Sequence, residues 1–156
     1  MDIVIVTGEK GGGKSTYIST LMALSDCAGG FLSIHRSDGY YLKNVETGEE
    51  RLFLSSEPVF DKKFKEWYCN PDALEWANGE LEKIHSGDVF IDEVGMMEVS
   101  GSGFSPSLKV LLKRDVKLTL SVRKAFLDKV IEAFGITSAQ VIDVSQFLPI
   151  EKSSTL

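Results

Sequence analysis

Apolar residues fall in short runs along this chain, and their period changes from one run to the next. Ile3 to Val6 is uninterrupted, β-branched and ended by Thr7-Gly8, the pattern of a short buried strand. From about Lys14 to Leu24 the spacing becomes helical, with Tyr17, Leu21 and Leu24 on one face, and Gly29-Gly30 ends that unit. Between Gly30 and Phe60 the texture differs. Phe31 to Ile34, Tyr40 to Leu42 and Leu52 to Leu54 alternate with the turn signals Ser37-Asp38-Gly39 and Glu46-Thr47-Gly48, which predicts small antiparallel strands. About 30 residues cannot make a core of their own, so this stretch is expected as a strand-rich insertion in a single domain spanning 1–156.

Asn70-Pro71 reads as a helix start, a capping side chain followed by proline at the first helical position. Leu74, Ala77, Leu81 and Ile84 then define one buried face. After Ser86-Gly87-Asp88, Val89 to Ile91 is a second buried strand. Ser105-Pro106 begins a helix running to about Lys113. Val116 to Val122 alternates apolar residues with Lys117, Thr119 and Ser121 and reads as a strand. Leu127, Val130, Ile131 and Phe134 mark a further helix, and Val141 to Val144 a last strand. This alternation predicts an α/β fold: a mostly parallel sheet flanked by helices, with the loops that follow its strands gathered at one edge, where ligands bind.

Composition narrows the partners. The chain has 156 residues, 43% apolar and 26% charged, with a net charge of −6. That balance argues against a general grip on nucleic acid or an anionic membrane. The apolar run Ile3 to Val6 is too short, and lacks the basic lead, for a signal peptide or membrane span. Cys27 and Cys69 match no metal or redox spacing and are expected as reduced thiols of a cytoplasmic protein; His35 and His85 form no ligand cluster. The tail EKSSTL is expected to fray.

The chemistry enters at 7–16, TGEKGGGKST. Gly8-Glu9-Lys10-Gly11-Gly12-Gly13-Lys14-Ser15 satisfies the Walker A phosphate-loop pattern G-x-x-x-x-G-K-[ST], with a strand before it and a helix after it as that motif requires. The glycines let backbone N–H groups wrap a phosphate, and the helix adds its N-terminal partial positive charge. Lys14 is expected on the β- and γ-phosphates, Ser15 on magnesium and Thr16 near an α-phosphate. Partitioning-type ATPases carry an extra catalytic lysine five residues before the main one. Glu9 stands there in this chain, and Lys10 is out of register by one, which leaves it solvated or phosphate-adjacent.

A second constellation follows the strand Val89 to Ile91. Asp92 is placed to hold magnesium, and Glu93 to orient and deprotonate a water that attacks the γ-phosphate. The pairing favours hydrolysis over sensing. Glu98 is either a solvated acid or a group that positions a water or Lys14. Charge on the transferred phosphoryl group needs cations. Arg123, directly after the strand Val116 to Val122, is the first candidate, Lys124 the second, and Arg36 a further one for nucleotide contact. Trp67, Tyr68 and Trp76 serve either packing or base stacking.

On these residues the chain resembles the small P-loop nucleoside-triphosphatases first known from thermophiles, which have relatives in animals. The resemblance rests on VIVTGEKGGGKST, on GGFLSIHRSDGYYL and, most specifically, on VFIDEVGMMEVSGSGF, and covers about residues 1–135. It implies slow, magnesium-dependent hydrolysis of nucleoside triphosphates such as ATP and GTP to diphosphate and phosphate, with broad base tolerance, on a P-loop NTPase fold. By position it implies phosphate and metal binding by Gly13, Lys14, Ser15 and Thr16, magnesium at Asp92, water activation by Glu93, and a second acid at Glu98. The chain departs from the family where Lys10 replaces a usual proline, where basic residues are sparse around Asp38, and where Ser145-Gln146-Phe147 replaces an Asn-Arg pair. Two other readings stay open: a nucleotide or small-molecule kinase using ATP, and a nucleotide-dependent binding module. Oligomeric state is not legible.

Overall fold

A computed structural model describes residues 2–147; the tail expected to fray lies outside the described residues. In chain order the first half comprises β1 (Asp2–Gly8), α1 (Lys14–Ala23), β2 (Ala28–Arg36), β3 (Gly39–Asn44), β4 (Glu50–Ser55), β5 (Lys62–Phe64) and β6 (Trp67–Cys69). The second half comprises α2 (Pro71–Glu82), β7 (Asp88–Ile91), α3 (Met96–Val99), α4 (Ser105–Leu111), β8 (Lys117–Arg123), α5 (Leu127–Ala133) and β9 (Gln140–Asp143). All nine strands form one sheet in the order β5-β6-β4-β3-β2-β7-β8-β1-β9.

The sheet is mixed. From β2 to β9 the neighbours run parallel, as helical crossovers require. From β2 to β5 they run antiparallel through tight turns. The strand-rich stretch therefore prolongs the main sheet, and it reaches Cys69 where the sequence pattern predicts an end near Phe60. Its last two strands have three residues each, too few for a period to register among Lys62, Lys63, Lys65 and Glu66. Gly29 and Gly30, expected to end the first unit, lie inside β2. Gly30 has φ 114°, and a Cβ there would stand 1.9 Å from the carbonyl oxygen of Phe90. Glycine is what lets β2 approach β7 this closely.

Both faces of the sheet are covered. On one, Val4, Val6 and Phe90 pack against Ile18 of α1 and Val144 of the turn after β9. On the other, Ile5, Val89, Ile91, Leu118, Leu120 and Val122 pack against α2, α4 and α5 through Ala77, Leu81, Leu108, Leu111 and Val130. The buried face of α1 is set by Ile18, not by Leu24, which caps the helix and is 77% exposed. The polar side of β8 is also buried: Thr119 and Ser121 are inaccessible. No helix among the described residues is long and apolar enough to cross a membrane.

The contact of Gly30 with β7 predicts that Gly30→Ala destabilises the protein by more than about 2 kcal/mol. Gly79→Ala, in α2 with open space around the missing Cβ, stabilises it by about 0.5–1 kcal/mol. Urea unfolding of the two variants measures both.

Candidate active site

The loop between β1 and α1 is shaped by its glycines. Gly11 and Gly13 adopt φ 72° and 101°, where a side chain would be strained, and the N–H of Gly12 donates to Glu9 O at 2.9 Å. Gly8 starts the loop under Val144, where a Cβ would come within 2.7 Å of Val144 Cγ2. α1 has no acidic residue in its first turn and no side chain bonded to its first N–H groups, so its positive end is open to an anion. Lys14 is buried; its ammonium donates to Glu9 O at 2.9 Å and Gly8 O at 3.3 Å. Ser15 and Thr16 are exposed on the first turn.

Asp92 follows β7 and faces this turn. Ser15 Oγ lies 3.5 Å from Asp92 Oδ2, which also accepts the N–H of Ser33 at 3.3 Å. The other oxygen, Oδ1, accepts the hydroxyl of Ser121 at 2.5 Å. That same hydroxyl accepts the N–H of Glu93 at 2.8 Å, and Ser121 O accepts the N–H of Val94 at 2.9 Å. One residue of β8 thus anchors three consecutive positions after β7. Glu93 is held at φ 63°, a conformation that costs a non-glycine residue on the order of 1 kcal/mol and marks functional turns.

Burial, then the neighbouring Asp92 charge, raises the pKa of Glu93 above the usual glutamate value; Arg123, Lys14 and Lys10 oppose the rise. Arg123 is the last residue of β8, in register with Gly8 of β1, and its Nε is 3.9 Å from Glu93 Oε2. The sequence places it just past the strand; its strand position brings it beside the loop. Lys10, Asp92, Glu93 and Arg123 line one cavity of about 210 Å³. Lys124 is turned away, paired with Asp143 at 3.2 Å. Arg36 pairs with Glu50 at 2.6 Å. Trp76 packs edge-on against Phe31 with ring centroids 5.1 Å apart, beneath the Arg51 guanidinium, whereas Trp67 lines the cavity.

Glu98 is neither solvated nor directed at Lys14. Only 5% exposed, it accepts the N–H of Gly95 at 2.7 Å and of Phe104 at 3.0 Å, one on each oxygen. It ties off the loop that carries Asp92 and Glu93. Burial raises its pKa, and the two backbone bonds oppose the rise. Ser121 and the tying role of Glu98 escape sequence reasoning. The available signal for Ser121 was a hydroxyl on a strand whose neighbours are apolar on both faces. Among the described residues no three His, Cys, Asp or Glu side chains converge on a metal position. Ser15 and Asp92 supply two hard oxygens instead, a set suited to a small divalent cation that keeps other ligands.

A family model described as NTPase matches residues 3–146. The chain belongs to this NTPase family. Like the family, this NTPase is an enzyme that hydrolyses nucleoside triphosphates. It is 26% identical over 132 residues to nucleoside-triphosphatase THEP1 of Thermotoga petrophila, spanning 78% of this chain and 72% of that protein. Among solved structures it is similar to the crystal structure of THEP1 from the hyperthermophile Aquifex aeolicus, with a TM-score of 0.69 at 22% identity over 99% of this chain and 96% of that one. The solution structure of a human cancer-related nucleoside triphosphatase gives a TM-score of 0.62 at 13% identity, over 99% and 97%. The NTPase thus has the α/β P-loop fold.

The two bonds to Glu98 give a prediction. Glutamine can accept with only one end, so Glu98→Gln sets a donor against a backbone donor. Denaturant unfolding should show a loss of about 1–3 kcal/mol.

Proposed function

We propose that this NTPase cleaves the γ-phosphate of ATP, GTP and other nucleoside triphosphates in a magnesium-dependent reaction carried by Lys14, Ser15, Asp92, Glu93 and Arg123. The observation that carries the assignment is that the Ser121 hydroxyl holds both Asp92 and Glu93 beside the phosphate loop, with Ser15 Oγ 3.5 Å from the other carboxylate oxygen of Asp92.

The N–H groups of the loop from Gly8 through Ser15, other than that of Gly12, which Glu9 O holds, wrap the β- and γ-phosphates, Thr16 lies near the α-phosphate, and the Lys14 ammonium leaves Glu9 O and Gly8 O to meet the phosphates. Ser15 and Asp92 would hold magnesium, which would neutralise charge on the phosphates. Asp92 keeps its orientation because one of its oxygens is committed to Ser121. Glu93 accepts a proton from water as the water oxygen attacks the γ-phosphorus. The diphosphate leaves with the bonding pair, and inorganic phosphate is the second product. Arg123, assisted by Lys10, offsets the charge that spreads over the transferred group. Lys10 thereby acquires a place: it faces the same cavity as Glu93, and its charge acts on that carboxylate.

None of these groups reads a base edge, which supports broad base tolerance. We further place the protein in the cytoplasm, acting as a single domain without nucleic acid or membrane partners.

Glu93→Gln should reduce phosphate release by at least about 100-fold while nucleotide binding persists; Lys14→Ala should weaken binding as well. A colorimetric phosphate assay beside equilibrium binding of a fluorescent ATP analogue separates the two. Full activity in Glu93→Gln would remove the assignment. The pH profile carries a sign. Glu93 must be ionised to act, and its pKa is raised, so kcat/KM should fall on acidification at a pH above the ordinary glutamate range. Arg123 opposes that rise, so Arg123→Gln should move the acid limb to still higher pH.

A further inference from the structure

The cavity in front of Asp92 and Glu93 has an aromatic wall as well as a polar one, with Lys65 and Glu66 at the edge of the aromatic side. The aromatic wall is built by Tyr40, Phe64 and Trp67 from the antiparallel strands and by Phe126 from the turn after β8. Trp67 meets Tyr40 edge-on with centroids 5.2 Å apart. At the tip of the β5–β6 hairpin, Lys65 takes φ 54°, and its ammonium lies 5.6 Å from the Phe64 ring and 5.9 Å from the Phe126 ring. The hairpin tip therefore reaches across from the antiparallel strands to the turn after β8. Attack by water calls for none of this aromatic wall. Apolar walls with a few convergent polar groups are the make-up of a small-molecule site.

Volume limits the occupant. A dry cavity of about 150 Å³ already holds benzene, and drug-sized ligands take about 300–1,000 Å³. At about 210 Å³ this cavity matches a single substituted ring better than a drug-sized ligand.

We propose that the cavity binds a second ligand, a single-ring alcohol, with its ring against Trp67 and Phe64 and its hydroxyl in the place of the attacking water beside Glu93. This rests on the assignment of Glu93 made above. In the step that follows, the hydroxyl oxygen bonds to the γ-phosphorus and the bond from that phosphorus to the bridging oxygen breaks. The hydroxyl proton passes to Glu93, and the diphosphate departs with the electron pair. The products are a phosphate monoester and a nucleoside diphosphate. With the cavity empty of alcohol, water attacks and inorganic phosphate forms.

The test titrates the full chain, with ATP and magnesium, with benzyl alcohol and cyclohexylmethanol. Inorganic phosphate is followed by colorimetry and the monoester by phosphorus NMR. With at least one alcohol, inorganic phosphate release should fall along a saturation curve while a monoester resonance appears. In Trp67→Ala the half-saturating concentration should rise about tenfold, measured against that variant's own release without alcohol. Phe64→Ala provides the same comparison independently, should the tryptophan variant not fold. Release unaffected by both alcohols up to their solubility overturns the proposal. So does an unchanged half-saturation in the folded variants. Phosphate release without alcohol, and its loss in Glu93→Gln, tests hydrolysis separately, so the alcohol site can fall while the assignment of Glu93 stands.

Discussion

The hydroxyl of Ser121 donates to the carboxylate of Asp92 and accepts the N–H of Glu93, and the geometry of both acids depends on that pair of bonds. Without it Asp92 would lose one of its buried partners, and the left-handed turn at Glu93 would keep only the bond from Val94 N–H to Ser121 O. The arrangement is possible because β8 lies between β7 and β1. Its side chains reach the loop after one strand while its end, Arg123, reaches the loop after the other. The β8 strand is thus the bridge between the phosphate loop and the acids.

Other constraints keep that bridge in place. Gly30 brings β2 close to β7, so that Ser33 N–H can meet Asp92 from the opposite side to Ser121. Glu98 closes the loop beyond Glu93 by holding Gly95 and Phe104. The result is a pair of neighbouring carboxylates in different circumstances. Asp92 is oriented by the Ser121 hydroxyl on one oxygen and the Ser33 N–H on the other. Glu93, with 40% of its side chain exposed, stands beside a like charge, with cations at a distance that limits the rise of its pKa without forming a tight pair. That balance supports the proton-accepting role proposed for Glu93, since a tight Arg123–Glu93 pair would leave too weak a base.

Much of this was legible in the chain. The phosphate loop shows itself because its spacing and its strand-before, helix-after context are local. Asp92 and Glu93 show themselves because an apolar strand stops at them. Parallel strands read well as β-branched runs, and Pro71 and Pro106 mark helix starts in sequence and structure alike. What stayed hidden depends on contacts distant in sequence. Gly30 looks like a breaker until Phe90 O is beside it. Ser121 looks like the solvent face of a half-buried strand until α1 covers it. Glu98 is one acid among many until its two backbone donors are found. The strands at Lys62–Phe64 and Trp67–Cys69 are too short and too charged to carry a period, and Leu24 misleads because the helix ends one residue before it.

If one hydroxyl on β8 positions both acids for the proposed reaction, single-turnover hydrolysis of ATP by Ser121→Ala will show it. The expected result is a chemical step slowed by about 10- to 100-fold, with nucleotide affinity in the absence of magnesium close to that of the unaltered protein and a loss of stability of about 1–3 kcal/mol that still leaves it folded. A chemical step at the unaltered rate in a folded, nucleotide-binding Ser121→Ala protein would contradict it.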